Sequence, residues 1–255
     1  MADRLTFLGH STVLVDLDGT RVLTDPVLGH LALAIRRQVP VVPRETLTGI
    51  SAVFISHGHL DHLDLESLRA IPGDPAYIVP VGLGRIVEPA VRGTIHEMRA
   101  GDRLQIGHLT LEAIHAEHNR RRSLFTASDG PLGVLISGST SIYFAGDTAL
   151  FPGMTELAGR VDVALLPVGG WGLRLGRGHM DPERAAEAAV RVRPTVAVPI
   201  HWGTLYPIGL RRLAGHRFEG PGEAFRAAVA ARGAGIDVRV LQPGQSMALD
   251  GRAPR

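Results

Sequence analysis

The stretch Ser56-His57-Gly58-His59-Leu60-Asp61-His62-Leu63-Asp64 decides how this chain is read. Directly before it lies Ala52-Val53-Phe54-Ile55, an apolar run that reads as a buried strand. Three imidazoles and a carboxylate therefore fall together where a strand ends and a loop begins. Borderline first-row metals are bound by both groups, and zinc takes either readily. His57 and His59, two apart in an extended segment, project to the same side and can grip one ion. Asp61 and His62 follow once the chain has turned, which suits a second ion beside the first. The competing reading is a histidine-rich surface loop, but that gives no reason for a His-x-His-x-Asp-His spacing.

Working outward, Leu5 to Leu8, Thr12 to Leu17 and Arg21 to Thr24 read as strands, with Asp18-Gly19 as a two-residue hairpin signal. Asp25-Pro26 ends the third. Further strands are expected at Tyr77 to Val81, near Thr94 to Met98, at Arg103 to Ile106 and at Leu109 to Ile114. Leu132 to Ser137, Ser141 to Ala145, Val161 to Leu166, Val196 to Ile200 and Val238 to Leu241 complete the set. Helices are expected from the Asp64 cap through Ala70, at Pro182 to Val192 and at Gly222 to Ala231. Asp181 caps the second of these, with Pro182 at its opening position and Glu183 behind it. Strands and helices at both ends of the chain suggest two packed sheets flanked by helices, an α/β (α+β) architecture.

Composition narrows the functional classes. With 45% apolar and 20% charged residues the 255-residue chain can build a sizeable core, and one domain spanning 1–255 is expected. No cysteine is present, which excludes disulfides, thiolate catalysis and cysteine zinc sites. All 27 basic residues are arginine, so Schiff-base chemistry and a P-loop lysine are excluded too. A formal charge of +2 gives little ground for nucleic-acid binding. The amino terminus lacks the features of a signal peptide and no apolar run reaches spanning length, so a cytoplasmic location is expected. Val27 to Val42, with Leu31, Leu33, Ile35, Arg36 and Arg37, reads as a packed surface loop and allows at most peripheral membrane contact.

Five more segments occur in order: Gly9-His10-Ser11-Thr12-Val13, Leu23-Thr24-Asp25-Pro26, Phe144-Ala145-Gly146-Asp147-Thr148, Gly178-His179-Met180-Asp181-Pro182-Glu183 and Ile200-His201-Trp202-Gly203-Thr204. With the histidine cluster they resemble the metallo-β-lactamase fold superfamily over roughly residues 5 to 245. The branch they resemble contains N-acyl-phosphatidylethanolamine phospholipase D, with ascorbate-6-phosphate lactonases a more distant relative. That resemblance implies a four-layer αββα sandwich and two zinc ions, with manganese or iron as substitutes. It implies that His57, His59, Asp61, His62, His118, Asp147 and His201 are the metal ligands, with Asp147 bridging and Asp25 supporting the metal loop. Asp61 and His179 are implied as catalytic, His179 as an acid or hydrogen-bond donor on the substrate side. Arg122, Trp171 and His179 are implied as substrate-binding. Where the phospholipase pattern has paired tryptophans, this chain has Glu97-Met98-Arg99.

The residues alone leave the third ligand of the first ion open among His108, His115 and His118. Ala116-Glu117-His118, with Arg122 following, best matches the family pattern. Strand periodicity agrees, because Leu109, Leu111, Ala113 and His115 share one face and His118 lies past the strand. His115 is accordingly expected as a buried strand histidine. His10 has no partner that the sequence reveals, and it reads equally as an ordinary turn histidine or as a site residue.

The activity implied is hydrolysis by a hydroxide shared between two ions, because metal coordination lowers the pKa of water to about 7. Two zinc ions, two aspartates and that hydroxide sum to a formal charge of about +1, which suits an anionic phosphodiester, small or lipid-like. A lactonase acting on a cyclic ester is the alternative enzyme. A metal- or nucleic-acid-binding module without turnover is the alternative of another class.

Overall fold

The computed structural model describes residues 2–29, 35–118, 130–170, 175–176, 178–209, 215 and 218–249. The first sheet forms from β1 (Arg4–Gly9), β2 (Thr12–Leu17) and β3 (Thr20–Thr24), an antiparallel meander. Asp18 and Gly19 join β2 to β3 with φ of 49° and 72°, the pair of left-handed residues that a tight hairpin of this hand requires. After the short β4 (Ile35–Arg37) the chain returns through β5 (Ala52–Phe54), β6 (Ala76–Pro80) and β7 (Ile95–Met98), which add in parallel beside β3. Helices α1 (Leu65–Ala70) and α2 (Gly84–Val87) make two of the crossovers. Asp64 caps α1 by accepting from the backbone of Glu66 and Ser67.

The second sheet repeats the pattern. Strands β8 (Arg103–Ile106), β9 (Leu109–His115), β10 (Leu132–Ser137) and β11 (Ser141–Phe144) are antiparallel. Then β12 (Val163–Pro167) and β13 (Val196–Ile200) continue in parallel, joined by α3 (Pro182–Val192). A short β14 (Leu205–Pro207) pairs with β4 as a separate two-stranded piece. Helix α4 (Pro221–Ala231), β15 (Asp237–Val238) and β16 (Ser246–Ala248) follow. The strand orders are β16-β1-β2-β3-β5-β6-β7 and β15-β13-β12-β11-β10-β9-β8.

Three apolar clusters divide the molecule into four layers. Phe7, Val13, Val15, Phe54, Leu111, Val134, Phe144, Leu165 and Val198 lie between the two sheets, and Phe54 meets Phe144 edge-on at 6.2 Å. Leu68, Leu83 and Val87 cover the outer face of the first sheet, and the alanine face of α3 with Phe225 and Val229 of α4 covers that of the second. A sheet buried on both faces loses the polar/apolar alternation, which is why β2 is buried at every position. Truncating Phe54 to alanine in such a core costs about 3–5 kcal/mol. The αββα expectation from the sequence is met.

Several details differ from the sequence reading. The strand expected from Val161 begins at Val163, and that expected over Val238 to Leu241 is only Asp237–Val238. The strands β4, β14 and β16 were not expected, because three residues carry no periodicity. In the Val27 to Val42 stretch, Val27, Leu28 and Arg37 are buried, while Leu31 and Leu33 lie outside the described residues. Arg37 clips β4 onto the sheet by donating to the carbonyls of Leu8, Val27 and Pro40. Among the described residues no helix is long and apolar enough to cross a membrane.

Candidate metal centre

Parallel strands leave their carboxyl ends on one side of a sheet, and loops there are the natural place for a site. Asp25 follows β3, the Ser56–Asp64 loop follows β5, Asp147 follows β11 and His201 follows β13. His118 lies just past β9. Thr148 fixes its approach by accepting from the backbone N–H of Glu117 at 2.9 Å, while Ala149 donates to Glu117 at 2.6 Å. The His118 and Asp147 loops are therefore tied to each other.

These side chains form two groups around one carboxylate. The nitrogens of His57, His59 and His118 lie within 4.8 Å of one another, with His59 Nδ1 3.0 Å from His118 Nε2. Beside them, His62 Nε2 is 3.2 Å from His201 Nε2, and Asp61 Oδ2 is 3.6 and 3.5 Å from those two atoms. Asp147 stands between the groups. Its Oδ2 is 3.3 Å from His62 Nε2 and 4.0 Å from His118 Nε2, and its Oδ1 is 3.2 Å from His201 Nε2. Ligands on bonds of about 2.0–2.1 Å around a tetrahedral ion stand about 3.3 Å apart, so these are ligand-edge separations.

Hydrogen bonding behind the rings decides which nitrogens face inward. His118 Nδ1 meets the Gly178 carbonyl at 2.7 Å and His201 Nδ1 the Gly169 carbonyl at 2.8 Å. His62 Nδ1 is 2.7 Å from Asp25 Oδ2. The Ser56 hydroxyl donates to Asp25 at 2.6 Å, so it accepts from His57 Nδ1 at 2.9 Å. Each of these four rings spends its N–H on an outer acceptor and turns the other nitrogen to the centre. Buried His57 Nε2 and both Asp147 oxygens have no aligned hydrogen-bond partner. Unpaired buried nitrogens and carboxylate oxygens at these separations are costly alone and satisfied by cations. The donor set fits two divalent ions of the zinc type.

Electrostatics favour the same use. Burial pushes His57 well below the usual imidazole range, lowers His118, and lowers His59 to about 4 with help from His118, so these rings stay neutral and can bind metal. Burial also opposes charge on Asp147 and Asp61, but nearby imidazoles, His201 and His62 for the former and His62 for the latter, hold both well below the carboxylate range. His62 is the exception. Burial lowers it, yet Asp147, Asp61 and Asp25 together raise it well above the usual value.

Asp25 is fully buried and accepts from Ser56 N at 2.7 Å as well as from the Ser56 hydroxyl and His62. Half-buried His179 reaches the centre from the start of the α3 segment, with Nε2 3.3 Å from Asp147 Oδ2. Burial lowers its pKa, but the Asp147 contact outweighs this and raises it.

Sequence reasoning left His10 open between a turn histidine and a site residue; its Nε2 is 3.0 Å from Asp61 Oδ2, its ring lies 4.0 Å from that of His201, and it falls in one donor group with Asp61, His62 and His201. Burial, then His201, lowers its pKa to about 3. The available signal was strand direction. In an antiparallel meander β1 runs with β3, so the tip after β1 lies at the same end as Asp25. His115 also needs correction. It is exposed rather than buried, resting edge-on against Phe151 at 5.3 Å, because the packed face of β9 ends at Ala113. His108 sits exposed in the β8–β9 turn. Arg120, Arg121, Arg122 and Trp171 lie outside the described residues.

A family model of the beta-lactamase superfamily domain matches residues 20–202. A metal-dependent hydrolase of Methanopyrus kandleri is 31% identical over 256 residues, covering 95% of this chain and 98% of that one. The N-acyl-phosphatidylethanolamine-hydrolyzing phospholipase D 1 of Caenorhabditis elegans is 30% identical over 230 residues, which is 80% of this chain and 64% of that enzyme. Among solved structures, Igni18, a metallo hydrolase from the archaeon Ignicoccus hospitalis, superposes with a TM-score of 0.74 at 24% identity, covering 99% of this chain and all of that one.

Proposed function

The chain belongs to the β-lactamase superfamily and is one of its metal-dependent hydrolases, and from that premise we propose that it uses two zinc ions to hydrolyse a phosphodiester. The observation that carries the binuclear reading is the pair of donor groups sharing Asp147. His57, His59 and His118 would hold the first ion, Asp61, His62 and His201 the second, and Asp147 both. When bound, two such ions supply a water of pKa about 7 and Lewis-acid hold on a substrate oxygen.

The chain's own residues do the rest. Asp25 and the carbonyls of Gly169 and Gly178 fix ring orientation, so little rearrangement is needed during reaction. Asp61 would act from within the donor set of the second ion, with His62 and His201. His179, with Nε2 at the centre, is placed to give a proton to the departing oxygen. Similarity to the phospholipase D of Caenorhabditis elegans supports a phosphodiester.

One observation favours a second reading, a lactonase. Asp25 lies directly behind His62, and counting its charge brings the centre from about +1 to about zero. A neutral cyclic ester is then no worse a substrate electrostatically than an anion. Turnover of bis(p-nitrophenyl) phosphate and of a lactone panel, before and after chelation and zinc add-back, decides between them. The proposal expects diester turnover that disappears on chelation and returns with zinc. Lactone turnover alone transfers the assignment to the second reading, and full activity without metal overturns both.

A further inference from the structure

His10 occupies a position whose backbone a histidine does not favour. It opens the two-residue turn between Gly9 and Thr12 with φ of 56°, where glycine or asparagine is the usual choice. Turn shape alone therefore does not account for it, and its contacts do. A carboxylate can only accept, so the 3.0 Å contact to Asp61 Oδ2 is His10 Nε2–H donating to the oxygen that faces His62 and His201. The His10 carbonyl accepts from His201 N at 2.7 Å, and its ring covers one face of the His201 ring.

The tip itself is anchored. His10 N donates to Thr204 Oγ1 at 2.7 Å, three residues past His201. A Cβ on Gly9 would come within 2.8 Å of Thr204, so the turn seats against the Thr204 side chain without room for one. Two ligands of the second ion, from different sheets, thus lean on one residue of the first hairpin. Among the described residues the ring contacts of His10 are with His62 and His201, not with the His57, His59 and His118 group.

We propose that His10 is a positioning residue for the second metal ion, holding Asp61 by hydrogen bond and His201 by backbone and ring contact, so that its loss weakens that site and leaves the affinity of the first unchanged. This rests on the binuclear reading above. Partners behind metal ligands typically change affinity by about 10–100-fold, which sets the size expected.

The test is zinc titration against a competing chelator, with metal content per chain, on wild type, His10→Ala, His10→Phe and His10→Gln. Far-UV circular dichroism and melting verify the fold. Alanine adds no new backbone strain, since the native residue already has a Cβ at positive φ. His10→Ala should keep one tight ion and bind the second about 10–100-fold more weakly. His10→Phe, which retains the ring against His201 without the N–H to Asp61, should still bind the second ion more weakly than wild type, and His10→Gln, which restores a donor at similar reach, should recover part of the second affinity. Unchanged binding of both ions in His10→Ala overturns the proposal. Equal weakening of both does so as well, and so does a His10→Phe variant that holds the second ion normally. Wild type that takes up fewer than two ions removes the binuclear reading itself, which that arm reveals before any variant is considered.

Discussion

Replacing Asp25 by asparagine should cost both stability and metal affinity, and the structure gives the size. Its carboxylate accepts three bonds of 2.6–2.7 Å, from Ser56 N, the Ser56 hydroxyl and His62 Nδ1, all from buried partners. Asparagine keeps one accepting oxygen and turns an NH2 toward what remains, so at least one donor faces another donor. A hydrogen bond to a charged group contributes about 1.5–3 kcal/mol, and breaking a buried ion pair costs about 3–5 kcal/mol. Taking about 3 kcal/mol, and about 2–4 °C per kcal/mol for a chain this long, metal-free protein should melt about 6–12 °C lower. Both ions should bind about 10–100-fold more weakly, since His62 leans on Asp25 directly and His57 through Ser56. Ser56→Ala is the informative companion. It cuts the path to His57 while leaving the Asp25–His62 contact, so it should weaken the first ion only. Differential scanning fluorimetry on metal-free protein, followed by zinc titration, measures both effects. An Asp25→Asn variant melting within about 2 °C of wild type, with both affinities unchanged, would refute the reasoning.

Asp147→Asn should lower turnover by at least about 100-fold while the protein stays folded, measured by diester hydrolysis beside circular dichroism. His118→Ala should lose metal and turnover, whereas exposed His115→Ala should change stability by no more than about 0.5 kcal/mol and leave metal content intact. In metal-free protein His62 is held above its usual pKa, so an ion entering its site must displace a proton. Affinity for the second ion should therefore rise with pH from 6 to 8, by up to about tenfold per unit. The first site, where His59 titrates at about 4, should vary little above pH of about 5. Zinc titrations at several pH values read both slopes, and identical slopes would contradict the division. His10 and His59 have folded-state values of about 3 and 4, below the unfolded 6.5, so their neutral burial favours folding less as pH falls below 6.5. Melting of metal-free protein against pH should show that loss.

What the sequence made legible was whatever depends on near neighbours. The histidine cluster, the Asp18-Gly19 hairpin and the Asp181-Pro182 helix start each rest on a few adjacent residues, and the structure has all three in place. Period-two alternation correctly put His118 beyond β9 and His115 on the Leu109 face. It could not say how far the packing on that face extends, so the exposure of His115 was out of reach. Contacts between the sheets were harder. His10 and Asp61 are 51 residues apart, and Gly178 supports His118, 60 residues before it. Strand order must be known before such pairs can be drawn. Backbone conformation carried the missing signal. Among the described residues, five other than glycine have positive φ, and three of them are His10, Asp25 and His201. Backbone held in that region costs energy unless surrounding contacts over-determine it. At each of these three, the hydrogen bonds named above supply those contacts, and the side chain belongs to the donor cluster, as in His201, or touches one of its members, as in Asp25 and His10. Asp18 and Arg193, the other two, are a hairpin turn and a helix end, where the left-handed conformation is the ordinary solution. The strain that turn and helix geometry leave unexplained therefore coincides with the loops that carry the His/Asp cluster and its supports, and His10 belongs with them on that ground as well as by its contact to Asp61.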